Sequence, residues 1–273
     1  MSITDKFIEA GGIKFKYREA GAPNKEKDGG KVIVFLHGAG GQSPRASRFP
    51  AMLGERHRVL IPSRPGFDQT SIGDCKTQQD VAEAVAKFIA AAAPGQKVHL
   101  VAQSAGGAIA SWVTILHPEL VESLVLSAPA AFAVRHGPPS GSQGGGGPPS
   151  LAEMAKRLYG EDPAWDSPPT EEEKQQTGKN AQANMARFAS PDANADLKAR
   201  LAEIKVAVLL LVAGADQMIP EEAIKPYQEL IPHCTRIILY GAAHELPISA
   251  AQTWVKLVAD FVDRGEYFVV NMG

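Results

Sequence analysis

The apolar positions of this chain follow two patterns that take turns along its length. Short β-rich runs at 7–10 and 13–18 flank Gly11-Gly12, a pairing that predicts a hairpin. Runs at 32–36, 58–61, 98–102, 123–127, 206–212 and 236–240 are apolar almost throughout. Strands of that kind belong to a parallel sheet covered on both faces. Between them, Val81, Val85, Phe88, Ile89 and Ala92 recur at the spacing of one helix face. Residues 105–116 and 248–262 also read as helices. Strand and helix alternating in this way predict an α/β fold with a doubly wound, mostly parallel sheet.

The alternation lapses between about 130 and 200. Ten of the thirteen residues in 137–149 are Gly or Pro, a composition that predicts a flexible loop and no core. Helical patches follow at 151–159 and 171–188, and the strand pattern resumes at 206. The chain therefore divides into a core, 1–130 and 203–273, and an insertion, 131–202. The insertion leaves the sheet at the carboxyl end of the 123–127 run, the edge where ligands bind in such sheets, so a lid or cap is expected. A surface insertion without a role is the plainer alternative.

Composition narrows the function classes. The chain has 273 residues, 44% hydrophobic and 21% charged, with a formal net charge of −2. This is ordinary globular composition, and no block of like charge argues for nucleic acid or an anionic membrane as partner. Cys75 and Cys234 are expected as reduced thiols. The N-terminal residues lack the apolar stretch of a signal peptide, and the longest apolar run, 206–215, is broken by Gly214 and too short to span a bilayer. A soluble, cytoplasmic protein acting on a small molecule is expected, its oligomeric state left open. With no HExxH and no Cys/His cluster at ligand spacing, neither metal nor cofactor is expected.

The strongest chemical signal is Val98-His99-Leu100-Val101-Ala102-Gln103-Ser104-Ala105-Gly106-Gly107, an apolar strand running through small-x-Ser-x-Gly into a helix. This resembles the nucleophile elbow of the α/β-hydrolase superfamily, with Ala102 at the position where glycine is commonest. The turn demands small residues two before and two after the serine, and Ala102 and Gly106 supply them. Read alone, Ser104 could be an ordinary helix N-cap.

A serine hydroxyl needs a base. His99 lies within a strand, His57 and His233 precede strands, His117 ends a helix away from the elbow, and His136 borders the Gly/Pro stretch. His37 ends its strand at the right edge but belongs to another motif. His244, just after the last strand, is the remaining candidate, with a surface loop histidine as the alternative. Asp216 lies in Ala213-Gly214-Ala215-Asp216-Gln217-Met218-Ile219-Pro220, which resembles the family's acid loop; a turn or N-cap aspartate is its ordinary reading. The order Ser104, Asp216, His244 matches that of the superfamily's triads.

Two further segments carry the resemblance. Phe35-Leu36-His37-Gly38-Ala39-Gly40-Gly41 looks like the His-Gly oxyanion loop, which implies the N–H groups of Ala39 and Ala105 as donors and His37 as a residue holding the loop. Ser63-Arg64-Pro65-Gly66-Phe67-Asp68 resembles the Pro-Gly segment after the next strand, with Asp68 where the family usually has glycine. The likeness covers roughly 5–130 and 203–264. It implies a carboxylesterase-like serine hydrolase working through an acyl-enzyme. Phe132, Met154, Leu158, Tyr159, Trp165, Met185 and Phe188 would favour an apolar substrate if they face the elbow, and serve as lid packing if they do not.

Other readings stay open: a carbon–carbon bond hydrolase with the same triad, or a perhydrolase-type haloperoxidase, lyase, oxygenase or receptor of the same fold. A dinucleotide-binding oxidoreductase is a remoter one. Gly38-Ala39-Gly40-Gly41-Gln42-Ser43 approaches G-x-G-x-x-G, but Ser43 replaces the third glycine and no acid ends the next strand.

Overall fold

The computed structural model describes residues 3–21, 30–42, 44–132, 150–161, 169–188 and 191–268. The expected loop at 137–149, His136, Ser43 and Trp165 lie outside these, as do the side chains of Met185 and Phe188.

The strands are β1 (Ile3–Ala10), β2 (Ile13–Ala20), β3 (Val32–Leu36), β4 (Arg58–Pro62), β5 (Val98–Gln103), β6 (Val121–Ser127), β7 (Ala207–Ala213) and β8 (Cys234–Leu239). They form one sheet in the order β1-β2-β4-β3-β5-β6-β7-β8. β1 and β2 are antiparallel to each other, β2 is antiparallel to β4, and the pairs from β4 to β8 are parallel. Gly11 and Gly12 both take positive φ, 58° and 80°, the conformation that a tight two-residue hairpin requires. The helices are α1 (Pro44–Ala51), α2 (Gln78–Ala92), α3 (Gly106–Leu116), α4 (Leu151–Tyr159), α5 (Glu171–Phe188), α6 (Pro191–Arg200), α7 (Glu221–Leu230), α8 (Leu246–Ser249) and α9 (Ala251–Arg264).

Successive residues of the central strands feed opposite faces, which is why their sequences are apolar throughout. Val32, Val34 and Leu36 of β3 join a core with α2 and α3, while Ile33 and Phe35 join a second core with α9. Leu210 and Leu211 of β7 divide in the same way. β8 lies at the sheet edge and is only half-buried over most of its length. On α9, Trp254, Val258, Phe261 and Val262 form the buried stripe.

The topology itself makes a crevice. From β3 the chain passes to β4 on one side, then returns across β3 to β5 on the other. The loops that follow β3 and β5 thus leave neighbouring parallel strands in opposite directions, the point where open α/β sheets bind ligands. Residues 37–41 and Ser104 occupy those two loops.

The structure modifies one expected helix and adds two that were not expected. The helix expected at 248–262 is two, α8 and α9, broken at Ala250 (φ −136°, ψ 37°). α1 and α6 were not expected, and α6 carries no apolar stripe to betray it. Among its described side chains α6 buries Leu197, and Arg200 lies 5.5 Å over the Trp112 ring of α3. Among the described residues no helix is long and apolar enough to cross a membrane, and both Cys75 and Cys234 are free thiols.

Trp254 links the second core to the site. It is fully buried, packs edge-on to Phe35 at 6.0 Å, and its Nε1–H donates to Ser127 Oγ at 2.8 Å. Trp254→Ala should lower the unfolding free energy by about 3–5 kcal/mol, through lost packing and an orphaned hydroxyl. Guanidinium unfolding monitored by far-UV circular dichroism measures this. A loss under about 1 kcal/mol would contradict the assignment.

Candidate active site

Ser104 sits between β5 and α3 with φ +53°, the left-handed region that a non-glycine residue occupies only under constraint. Its N–H donates to Ser127 O on β6 at 2.9 Å, and its carbonyl accepts from Gly107 N at 2.9 Å and Ala130 N at 3.2 Å. The start of α3 is pressed against the end of β3. A Cβ on Gly106 would lie 2.5 Å from Leu36 O and 2.7 Å from His37 O. Glycine is the residue that fits there, and the contact fixes where the serine stands.

His244 follows β8 in a loop held from several directions. Its carbonyl accepts from Gln103 Nε2 at 2.8 Å, and the Ala243 carbonyl accepts from Ser249 Oγ at 2.9 Å. Gln103 immediately precedes Ser104, so one strand end positions both residues. The imidazole Nε2 lies 2.8 Å from Ser104 Oγ and Nδ1 lies 2.8 Å from Asp216 Oδ2. With Asp216 as acceptor, Nδ1 carries the proton and Nε2 accepts from the serine hydroxyl. The other Asp216 oxygen accepts from Met218 N at 2.7 Å and Ile219 N at 2.9 Å. The structure thus brings together all three residues expected from the sequence, and Ser104 and His244 are both buried.

Near them, the N–H groups of Ala39 and Ala105 make no hydrogen bond among the described residues. They are free for a substrate oxygen. His37 does not face Ser104: its Nε2 accepts from Arg64 N at 3.1 Å and its Nδ1 donates to Gly38 O at 2.8 Å. Burial, with the Arg64 charge beside it, holds its pKa well below the usual histidine range. Asp68 takes the positive φ (49°) natural to the glycine it replaces, and its carboxylate reaches Lys16 Nζ at 3.1 Å.

Two helices between β6 and β7 touch this site. Glu245 N, next to His244, donates to Leu158 O of α4 at 2.8 Å. Asn180 Nδ2 of α5 donates to Gly40 O at 2.9 Å. Among the described residues no group of three or more His, Cys, Asp or Glu is placed to hold a metal.

Sequence reasoning missed Gln103 and Glu245. A polar residue closing an apolar strand was the signal for the first; nothing marked the second. Glu245 Oε1 and Ser104 Cβ both lie within 3.4 Å of the point a Gly38 Cβ would occupy, so the carboxyl borders the same loop. Its pKa is raised, chiefly by burial. For His244, burial opposes the charged form, but the Asp216 hydrogen bond and the charges of Asp216 and Glu245 prevail and raise its pKa.

The chain belongs to the α/β-hydrolase fold family, whose sequence profile matches residues 31–251. It is 31% identical over 137 residues to a 2-hydroxy-6-oxo-6-(2'-aminophenyl)hexa-2,4-dienoic acid hydrolase of Metapseudomonas resinovorans, a match covering 49% of this chain and 45% of that protein. The likeness therefore spans less than half of that relative's length. It is 26% identical over 231 residues to the pimeloyl-[acyl-carrier protein] methyl ester esterase of Salmonella typhimurium, covering 80% of this chain and 88% of that one. Among solved structures, a serine hydrolase from the polyaromatic hydrocarbon-degrading bacterium Cycloclasticus zankles superposes with a TM-score of 0.73 at 20% identity, over 96% of this chain and 98% of that one. That last likeness is one of fold.

The raised His244 pKa carries a sign. The imidazolium of His244 persists to higher pH than that of an unperturbed histidine, and the ring is neutral only above that shifted value. Glu245→Gln removes one of the charges that raise it, and the ring should then titrate at lower pH than in the wild type. Histidine NMR titration measures both; an unchanged or higher value in the variant would contradict the arrangement.

Proposed function

We propose that this protein is a serine hydrolase that cleaves an ester-type acyl bond of a small, largely apolar substrate. The observation that carries the reading is the continuous hydrogen-bonded line from Ser104 Oγ through His244 to Asp216, with 2.8 Å at each step. In the proposed reaction Ser104 Oγ attacks the acyl carbonyl while its proton passes to His244 Nε2. The carbonyl becomes an oxyanion, accepting from the N–H groups of Ala39 and Ala105. Collapse breaks the ester bond, and His244 returns the proton to the leaving alcohol. Water, deprotonated by the same histidine, then hydrolyses the acyl-serine to free acid. The positive end of α3 favours the charge that develops above it. The contacts of α4 and α5 with the loops around Ser104 support reading 131–202 as a lid over the site.

The 31% identical relative, a dienoic acid hydrolase by name, favours a second reading as a carbon–carbon bond hydrolase.

Purified protein is incubated with p-nitrophenyl butyrate and, separately, with a fluorophosphonate probe. The wild type turns over the ester and takes the label. Ser104→Ala loses the label and at least about three orders of magnitude in kcat. Equal labelling of both proteins would overturn the proposal. Faster turnover of a 2-hydroxy-6-oxo-dienoate than of any ester would replace it with the second reading.

A further inference from the structure

Arg64 is a buried cation with no counter-charge among the described residues. It is 1% exposed, its Nε has no partner, and among the described residues no carboxylate lies within ion-pair distance of it. Its guanidinium stacks 4.7 Å over the Phe67 ring, which in turn packs edge-on to the His37 ring at 4.7 Å. Nη2 donates to Gly38 O at 2.9 Å. A buried guanidinium with no carboxylate beside it is costly.

The Gly38 carbonyl gives the direction. It accepts from three donors: His37 Nδ1–H at 2.8 Å, Arg64 Nη2–H at 2.9 Å and Gly41 N–H at 3.3 Å. The first donor's protonation is fixed, because His37 Nε2 accepts from the Arg64 backbone N–H. A carbonyl carrying this many donors, one of them charged, is strongly polarised, and so is the N–H across the same peptide bond. That N–H belongs to Ala39 and makes no hydrogen bond among the described residues.

We propose that Arg64 is a positioning residue of the oxyanion site: acting through the Gly38–Ala39 peptide it strengthens the Ala39 N–H as a donor, and its missing counter-charge is the oxyanion of the tetrahedral intermediate. This rests on the hydrolase reading above. The stabilisation is greatest when negative charge has developed, so it lowers the barrier without tightening the ground state. Burial pulls the guanidinium down to about 9, which leaves it charged at neutral pH.

The experiment compares wild type, Arg64→Met, Arg64→Lys and Ser104→Ala as full-length proteins, by the second-order rate of fluorophosphonate labelling and by thermal unfolding. Arg64→Met should label about 10–100-fold more slowly while its Tm stays equal to or above that of the wild type. Arg64→Lys, which keeps the cation, should recover to within about fivefold. A purely structural arginine would lose rate and Tm together. That outcome, or an Arg64→Met rate within about threefold of wild type, overturns the inference. If Arg64→Met does not fold, Arg64→Lys decides: a rate within about fivefold of wild type supports it, and a larger loss at unchanged Tm overturns it. Undiminished labelling of Ser104→Ala would instead sink the hydrolase reading, whatever Arg64 does.

Discussion

The start of α3 lies against the end of β3 with no room for a side chain at Gly106, where a Cβ would meet the Leu36 and His37 carbonyls at 2.5 and 2.7 Å. That contact forces Ser104 into a left-handed backbone and lifts its Oγ out of the turn. Much else follows from it. The His37–Gly41 loop and the serine become neighbours because β3 and β5 are paired, Leu36 opposite Ala102. Gln103, at the last strand position, is aimed so that it can hold the His244 loop. The strain is sustained by the surrounding ladder: Ser104 N is fixed to Ser127 O, and Ser127 Oγ is held by Trp254 from the second core.

Electrostatically the site has two sides. Asp216 and Glu245 lie on the side of His244 and favour its imidazolium, the form the ring takes in the proposed reaction on accepting the serine proton. Arg64 and the Gly38 peptide to which it donates lie on the side of the 37–41 loop. A proton moved from Ser104 to His244, with negative charge left on the substrate oxygen, places each new charge on the side that stabilises it. Preorganised charge of this kind does not have to reorient during the reaction.

The core strands were legible because parallel strands buried on both faces must be apolar at every position, as in Val208–Val212. The elbow was legible because few residue types tolerate its geometry, and the hairpin because Gly11-Gly12 is the pair its turn requires. The His244 position could be reached by elimination, since each other histidine outside the Gly/Pro stretch was placed by an element or a motif. What escaped had no such compulsion. Among its described side chains α6 buries only Leu197, and it has no stripe to detect. The break at Ala250 leaves the apolar spacing of α8 and α9 uninterrupted. Glu245 and Arg64 matter through burial and through what surrounds them in space, and a charged residue in a sequence gives no sign of either. Asp68 shows the reverse case, a non-glycine residue keeping a glycine's conformation with Lys16 beside its carboxylate.

The most direct measurement is a crystal structure of the protein after reaction with diethyl p-nitrophenyl phosphate. The account predicts phosphorus bonded to Ser104 Oγ, with the phosphoryl oxygen about 2.7–3.1 Å from the N–H nitrogens of Ala39 and Ala105 and His244 still bridging to Asp216. An adduct on any other residue, or a phosphoryl oxygen turned away from both N–H groups, would contradict it.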